Sequence, residues 1–314
     1  MDELKTILVV ATRSASDSAL LEKALRLARG CGARIHLFYC DARSGAVLGQ
    51  EKETAKAEQG WQERVNDDVE YLDALIARLR APGISITSHA TCDQPFGEAI
   101  LREAARMRPD LVMKIPAGSH PLRLFTLDSS DWRLARNCPS AVMLVHATPW
   151  PLAPRFGALV NVSERAIARL PAAVLHACEY LSLGCDGTVE VAYCESGHNP
   201  QEMTDRAAAL ERLTQEFHIP AGRIFALQGE ADCVLPEFAS KQCYDVLALG
   251  APTHRRGLVA LAGGLSSKLI DAADSDLLLV RLPAPSTGEQ LPHHGEQLIG
   301  LDGFAGDPDE LVHG

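Results

Sequence analysis

The stretch "VLALGAPTHRRGLVALAGGLSSKLIDAADSDLLLVRLP", residues 246–283, decides the fold class of this chain. An apolar run ends on Gly250, a loop with arginines and glycines follows, and a helical pattern then leads into a second apolar run. Many α/β proteins hold a phosphate with this order of strand, glycine-rich loop, helix and strand. The stretch therefore predicts a parallel α/β unit whose loop could approach an anion.

Apolar runs of strand length recur along the whole chain, with helical patterns between them. The runs lie at 6–10, 34–40, 84–90, 110–115 and 141–145, then at 157–162, 188–194, 223–229, 245–250 and 276–280. Continuous apolar runs are typical of strands that helices cover on both faces of a parallel sheet. We therefore predict two halves, each with five strands threaded by four helices.

The helical segments carry start signals and apolar stripes. Segment 61–79 repeats apolar residues every three or four positions, which predicts one buried face. An asparagine before Pro200 predicts a helix that starts with this proline, and "DQPF" repeats the device with Pro95. Because proline cannot lie inside an unbroken helix, we expect another helix to begin near Pro171.

The two halves correspond at a constant distance along the sequence. Asp110 and Asp245, which each precede a strand, lie 135 positions apart, and Ala141 and Asp276 have the same separation. Equal spacing means that neither half has a net insertion between its fourth and fifth strands. The chain therefore reads as a duplicated domain.

Composition suggests where the domains end. We predict a first domain at 1–148, a second at 155–283 and a flexible acidic tail at 284–314, with a short proline-rich linker between the domains. The predicted fold is two tandem Rossmann-like α/β domains that pack as an internal pseudo-dimer. Each domain would be a five-stranded, mostly parallel sheet flanked by helices.

Bulk composition excludes several classes of protein. The formal charge of −11 argues against a nucleic-acid partner, which would need a basic face. No apolar run is long enough to span a membrane, and the first residues show no apolar signal region. Nine cysteines without any C-x-x-C pair indicate free thiols in a reducing compartment. We therefore expect a cytoplasmic protein.

The order of elements and the glycine loop resemble the universal stress proteins, and the duplication resembles the tandem E-type branch of that family. The segments that carry this closer resemblance are "PFGEAI" (95–100), "DLVMK" (110–114), "DSSDWRLARNCPSAVMLV" (128–145) and "TPWPLAPRFGALV" (148–160). The likeness covers residues 5 to 282. It implies small domains of the adenine-nucleotide-binding type, some of which bind nucleotide and some of which do not.

In nucleotide-binding members, the family loop runs Gly, two residues, Gly, nine residues, then Gly followed by Ser or Thr. On this pattern Gly250 takes the first position, Thr253 stands where the second glycine belongs, and Gly263 takes the third. Gly264 replaces the Ser or Thr, so the spacing is kept while two residue types change. The resemblance implies these candidate ligand-binding residues: Ser163, Gly250, Thr253, Arg256, Gly257, Gly263, Gly264, Ser266 and Ser267.

Such members also hold the adenine and ribose side with an Asp at the end of the first strand. The matching positions here are interpreted as Thr12 and Ser163. In the first half, Ile115 corresponds to Gly250, and Asp128 corresponds to Gly263. A branched side chain and a negative charge would both oppose a polyphosphate, so we expect no ATP binding in this half.

Two functions of different kinds stay open. The first is a nucleotide-binding stress module with ATP as the candidate cofactor of the second half. The second is a nucleotide-free stress protein whose altered pocket takes a protein partner or another small molecule, such as a lipid-like one. Slow ATP hydrolysis ranks third, because no catalytic motif is found. A homodimer of the whole chain is left open.

Other polar groups favour simpler interpretations. His293 and His294 in the tail could bind a metal, but a solvated pair is the expected state, and no metal site is predicted. Asp128 and Asp131 could imitate an acid–base pair with nearby arginines. We interpret them instead as negative charges that complement the dipole at a helix start.

Overall fold

The computed structural model describes residues 3–41, 55–79, 81–93, 95–116, 129–160, 169–195, 200–229, 231–251 and 275–282. Met1–Pro283 form one compact unit. Its strands are β1 Thr6–Val10, β2 Arg34–Cys40, β3 Ile86–Thr91, β4 Leu111–Lys114, β5 Ala141–Leu144, β6 Arg155–Leu159, β7 Thr188–Glu195, β8 Ile224–Gln228, β9 Val246–Gly250 and β10 Asp276–Val280. All ten predicted strands are confirmed, with ends that shift by a few residues.

Helices connect these strands. They are α1 Asp17–Cys31, α2 Ala55–Leu79, α3 Phe96–Met107, α4 Ser129–Asn137, α5 Arg169–Leu183, α6 Pro200–Glu216 and α7 Ala231–Gln242, with a 3-10 turn at Ala221–Arg223. The four helices predicted for the first half are confirmed. The helix predicted between β9 and β10 lies outside the described residues.

The proline signals are confirmed at two helices and are wrong in detail at a third. α6 begins at Pro200, and Pro171 lies in the first turn of α5. α3 begins at Phe96, so Pro95 precedes the helix and is not its first residue. The reason is its extended backbone, with ψ of 151°, from which the Pro95 carbonyl accepts the first helical hydrogen bonds.

The strands form one ten-stranded sheet in the order β3-β2-β1-β4-β5-β10-β9-β6-β7-β8. Pairing is parallel within each set of five strands, as the apolar runs predict. The two sets meet where β5 pairs with β10 in antiparallel orientation. The halves therefore share a continuous sheet, whereas the sequence alone predicted two sheets packed together.

The duplication is visible in the strand positions. β4 and β9 begin at Leu111 and Val246, and β5 and β10 begin at Ala141 and Asp276, so both pairs keep the spacing of 135 positions. The aspartate before β4 and the one before β9 also make equivalent hydrogen bonds to the neighbouring strand. Asp110 accepts a hydrogen bond from the backbone N–H of Thr6, and Asp245 accepts one from that of Arg155.

Helices cover both faces of the sheet, which explains why the strands are apolar on both sides. One core cluster contains Ile7, Val9 and the buried face of α1, and the other contains Leu8, Val10 and the buried face of α3. The carboxyl ends of the parallel strands are left as the place where a ligand can reach the backbone. None of the described helices combines the length and apolar content that crossing a bilayer requires.

Candidate functional site: the carboxyl ends of the strands

One of the predicted ligand-binding residues lies in the part of the chain that the structure describes. Gly250 lies in the described part of the chain, at the end of β9. The others lie outside the described residues: Ser163, Thr253, Arg256, Gly257, Gly263, Gly264, Ser266 and Ser267. Their assignment as a binding loop stays a prediction.

Gly250 packs tightly against the neighbouring helix. A Cβ atom built on it would lie 2.5 Å from Cδ2 and 2.7 Å from Cγ of Leu170, in the first turn of α5. The lack of a side chain at this position therefore lets the helix approach the strand. This contact is a reason for glycine here that is independent of any ligand.

The strand register gives a further correspondence between the halves. Ile7 pairs with Leu111, and Phe156 pairs with Val246, which is the equivalent of Leu111. Counting onward from these pairs, Thr12 corresponds to position 161, two residues before Ser163. Both positions lie outside the described residues, so the match of Ser163 stays a prediction.

Thr12 follows the end of β1, where the resemblance places the base-binding Asp of the family. Its polar groups make hydrogen bonds within the chain. Asp17, which is 2% exposed, accepts hydrogen bonds from the backbone N–H of Thr12 at 3.0 Å and from its hydroxyl at 2.8 Å. The Tyr71 hydroxyl, whose pKa is raised to about 12 by burial and by Asp17, donates to the same carboxylate at 3.2 Å. Thr12 therefore serves to fix the turn into α1.

Arg13 covers the same end of the strand. Its backbone lies in the left-handed region, with φ of 56°, and its guanidinium donates to Asp68 Oδ1 at 2.6 Å. The guanidinium carbon lies 4.7 Å from the ring centre of Tyr71 and 5.8 Å from that of Tyr39. Burial, reinforced by Asp68, raises the pKa of Tyr39 to about 12, so both phenols stay protonated beside the cation.

A buried ion pair occupies the end of β4. Lys114 and Asp131 are 1% and 0% exposed, and the ammonium of Lys114 donates to Asp131 Oδ1. The ammonium also lies 5.5 Å from the ring centre of Phe96. Asp131 was interpreted as a charge that complements the helix dipole, and its position in the first turn of α4 agrees with this. It also pairs with Lys114.

The first half therefore fills the space at its strand ends with its own charges. Ile115, which follows Lys114, is 5% exposed, as expected for a branched side chain in place of glycine. Asp128, the other residue expected to oppose phosphate, lies outside the described residues. Lys114 and Arg13 each have a carboxylate as partner, so little positive field remains to attract an anion.

Two clusters of metal-ligand type also occur among the described residues of the first half, and the sequence reasoning missed both. One joins His36, His89 and Glu103, and the other joins Asp41, Asp68 and Cys92, with ligand atoms within 4.8 Å of one another in each. Their members are far apart in sequence, so no spacing pattern signals them. His36 in the run "RIHLFYC" was the one available hint, because a polar ring interrupts a buried strand.

Comparisons with known proteins agree with this architecture. A family model described as Universal stress protein family matches residues 3–146. The chain is 24% identical over 208 residues to Universal stress protein E of Escherichia coli strain K12, an alignment that covers 60% of this chain and 66% of that relative. It is 24% identical over 307 residues to a Universal stress protein E homolog of Haemophilus influenzae, covering 89% of this chain and 98% of the homolog.

Solved structures share the fold. A functionally unknown protein from Pseudomonas aeruginosa superimposes with a TM-score of 0.69 and 22% identity, covering 88% of this chain and 92% of that one. A universal stress protein from Archaeoglobus fulgidus gives a TM-score of 0.63 at 12% identity, covering 88% and 98%. The first half of this chain matches the universal stress protein family, and the whole chain shares the doubled α/β fold and is similar to E-type relatives.

Proposed function

We propose that this protein acts in the stress response by binding a small molecule in the cleft of its second half, in the cytoplasm, without catalysing a reaction. The match of residues 3–146 to the universal stress protein family and the similarity to an E-type homolog support the stress-response part of this proposal. The difference between the two halves at their strand ends supports the rest of it.

The observation that carries the proposal is the filling of the first cleft by the Lys114–Asp131 pair. At the same spacing the second half has Leu249 and Ser266, so the charged pair is missing from its sequence. An uncharged serine beside a glycine-rich loop leaves backbone N–H groups available to an anionic ligand. ATP is the first candidate, because the loop keeps the glycine spacing of nucleotide-binding relatives.

A second candidate is a nucleotide-free pocket, and one observation favours it. Leu170 fills the space above Gly250, where the family pattern would bring backbone close to phosphate. An apolar side chain at that point suits an apolar ligand, such as an acyl chain, better than a triphosphate. On this reading the second half binds a lipid-like molecule or takes part in a protein contact.

Native mass spectrometry of the purified chain, followed by ATP titration calorimetry, tests both candidates. ATP binding that is lost in Gly263→Asp supports the nucleotide site, because a carboxylate there repels phosphate. A weak or absent signal that is equal in wild type and variant supports the nucleotide-free pocket. A co-purified ligand of lipid mass would identify its occupant.

Asp128→Gly is the matched control in the first half. It removes the carboxylate at the position equivalent to Gly263, but the Lys114–Asp131 pair stays in place. We therefore expect Asp128→Gly to leave the ATP stoichiometry unchanged. A second bound nucleotide in this variant would contradict the view that internal charges close the first cleft. ATP turnover that a single loop substitution abolishes would contradict the non-catalytic proposal.

A further inference from the structure

A histidine–carboxylate cluster lies on the α3 side of the sheet, away from the strand ends. His36 is on β2, His89 is on the neighbouring strand β3, and Glu103 is on α3. His36 Nε2 lies 2.7 Å from Glu103 Oε1, and His89 Nδ1 lies 3.1 Å from Glu103 Oε2. Two imidazoles and one carboxylate therefore face one another at short range.

These donors are the ones that Zn²⁺ prefers when three protein ligands leave a fourth position open. The second nitrogen of His36, Nδ1, lies 2.8 Å from the Thr87 hydroxyl. With that nitrogen donating to Thr87, the Nε2 lone pair of His36 would point at the cluster, which is how ligand histidines are usually oriented.

A cation already contacts the cluster. Arg106 donates from Nε to Glu103 Oε2 at 3.0 Å and from its terminal nitrogen to Oε1 at 2.5 Å. The Arg106 side chain is 56% exposed, whereas that of Glu103 is 4% exposed. The guanidinium can therefore swing into solvent without disturbing the core. The side chain of His89 is 44% exposed, which provides an entry path.

We propose that His36, His89 and Glu103 form a binding site for a divalent transition metal of the zinc type, in which Arg106 holds the place of the cation when no metal is bound. Binding replaces the guanidinium on Glu103 by the metal, and the proton that His36 Nε2 donates to Glu103 moves to Nδ1, which then donates to Thr87. The site lies on β2, β3 and α3, so it is independent of the ligand cleft proposed for the second half.

The test is calorimetric titration of the metal-free full chain with Zn²⁺, in a background with His293→Ala and His294→Ala. We expect one stoichiometric site. His89→Asn should weaken binding at least about tenfold, because a ligand is lost. Arg106→Ala should tighten binding by about tenfold, because the competing cation is gone. A merely structural hydrogen-bond network would give no gain in affinity from the arginine change.

Matched controls come from the same helix and from a distant histidine. Arg102→Ala removes an arginine of α3 that pairs with Asp93 instead, and His218→Asn removes an exposed imidazole; both should leave Zn²⁺ affinity unchanged. Unfolding curves establish that each variant is folded. Binding that survives His89→Asn, or that Arg106→Ala does not tighten, would overturn the proposal.

Co²⁺ substitution separates this site from the cysteines. A site with nitrogen and oxygen ligands gives a visible d–d spectrum without an intense thiolate-to-metal charge-transfer band. That spectrum, lost in His89→Asn, supports the assignment. A strong thiolate band would place the metal on cysteines, such as the cluster that contains Cys92, and would count against it.

Discussion

At the scale of single residues, the Lys114–Asp131 pair distinguishes the first half from the aligned sequence of the second. Lys114 and Asp131 are both almost fully buried, and each provides the charge that the other needs. Replacing one member of such a pair leaves an uncompensated charge in the core, which costs more than the pair itself contributes. The second half has Leu249 and Ser266 at these positions, which shows that an uncharged solution is available to the same fold.

Lys114→Leu should therefore lower the free energy of unfolding by about 3 to 5 kcal/mol, because Asp131 keeps its buried charge without its cation. The measurement is urea unfolding at pH 7. The double variant Lys114→Leu/Asp131→Ser copies the second half and should recover much of the loss. A double variant as unstable as the single one would show that the pair is not the source of the effect.

Glu103 makes stability depend on pH in the acid range. Burial alone would raise the pKa of this carboxyl, but hydrogen bonds from Arg106 and His36 outweigh it and lower the pKa to about 2, from an ordinary 4.5. The charged form is thus favoured in the folded state, so its contribution is present above pH 4.5 and disappears as pH falls toward 2.

Glu103→Gln should accordingly cost about 2 to 3 kcal/mol of unfolding free energy above pH 5. The difference between wild type and variant should shrink as pH falls from 4.5 toward 2. Unfolding by urea at a series of pH values measures it. A difference that stays constant over this range would mean that the carboxylate charge contributes nothing to stability.

At the scale of elements, the two halves make a close contact where the ends of α1 and α5 meet. A Cβ on Gly30 would lie 1.6 Å from the carbonyl oxygen of Gly184, and one on Gly184 would lie 2.4 Å from Cys31 Sγ. Two glycines thus allow the backbones to touch. Arg26 strengthens the contact by donating to the carbonyl oxygens of Pro151 and Cys185 at 2.5 and 2.6 Å.

Substitution of alanine for two helical glycines should have opposite effects. Gly30→Ala in α1 should destabilise the protein by about 1 to 3 kcal/mol or more, because the methyl group meets backbone that cannot yield. Gly60→Ala in α2 should stabilise it by about 0.5 to 1 kcal/mol, because the site is open and alanine favours the helix. Thermal unfolding of both variants checks the signs, and equal shifts would contradict the packing argument.

At the scale of the whole molecule, one seam joins the two parallel sets of strands. Leu278 pairs with Met143 across the antiparallel β5–β10 contact. Beside it, the buried carboxylate of Asp276 accepts from Lys23 Nζ at 2.7 Å, from the His146 N–H at 2.7 Å and from Trp150 Nε1 at 2.7 Å. The side chain of Asp276 on β10 thus binds both α1 and the linker between the halves.

Because the sheet is continuous, we expect Met1–Pro283 to unfold in one cooperative transition. Far-ultraviolet circular dichroism should coincide with Trp150 fluorescence, recorded with Trp61→Phe and Trp132→Phe. Asp276→Asn should lower the midpoint of that transition, because Lys23 is left buried without its anion. The corresponding loss of unfolding free energy should be about 3 to 5 kcal/mol. Two separated transitions in wild type would show that the halves fold independently.

The strands, the helix starts at Pro200 and near Pro171, and the duplication with its spacing of 135 positions follow from local sequence. Apolar periodicity and turn residues act over a few positions, so short windows carry them. The same windows predict that Ile115 removes the first glycine cradle. The start of α3 was off by one residue because a proline can precede a helix as easily as it can begin one.

The sequence by itself determined the class of fold, its doubling and the half in which a glycine loop persists. Only the tertiary structure decided that the halves share one sheet, that Lys23 pairs with Asp276 253 positions away, and that His36 meets Glu103 across 67 positions. The reason is that a side chain's partner depends on which distant elements pack together. Periodicity within an element contains no information about that choice.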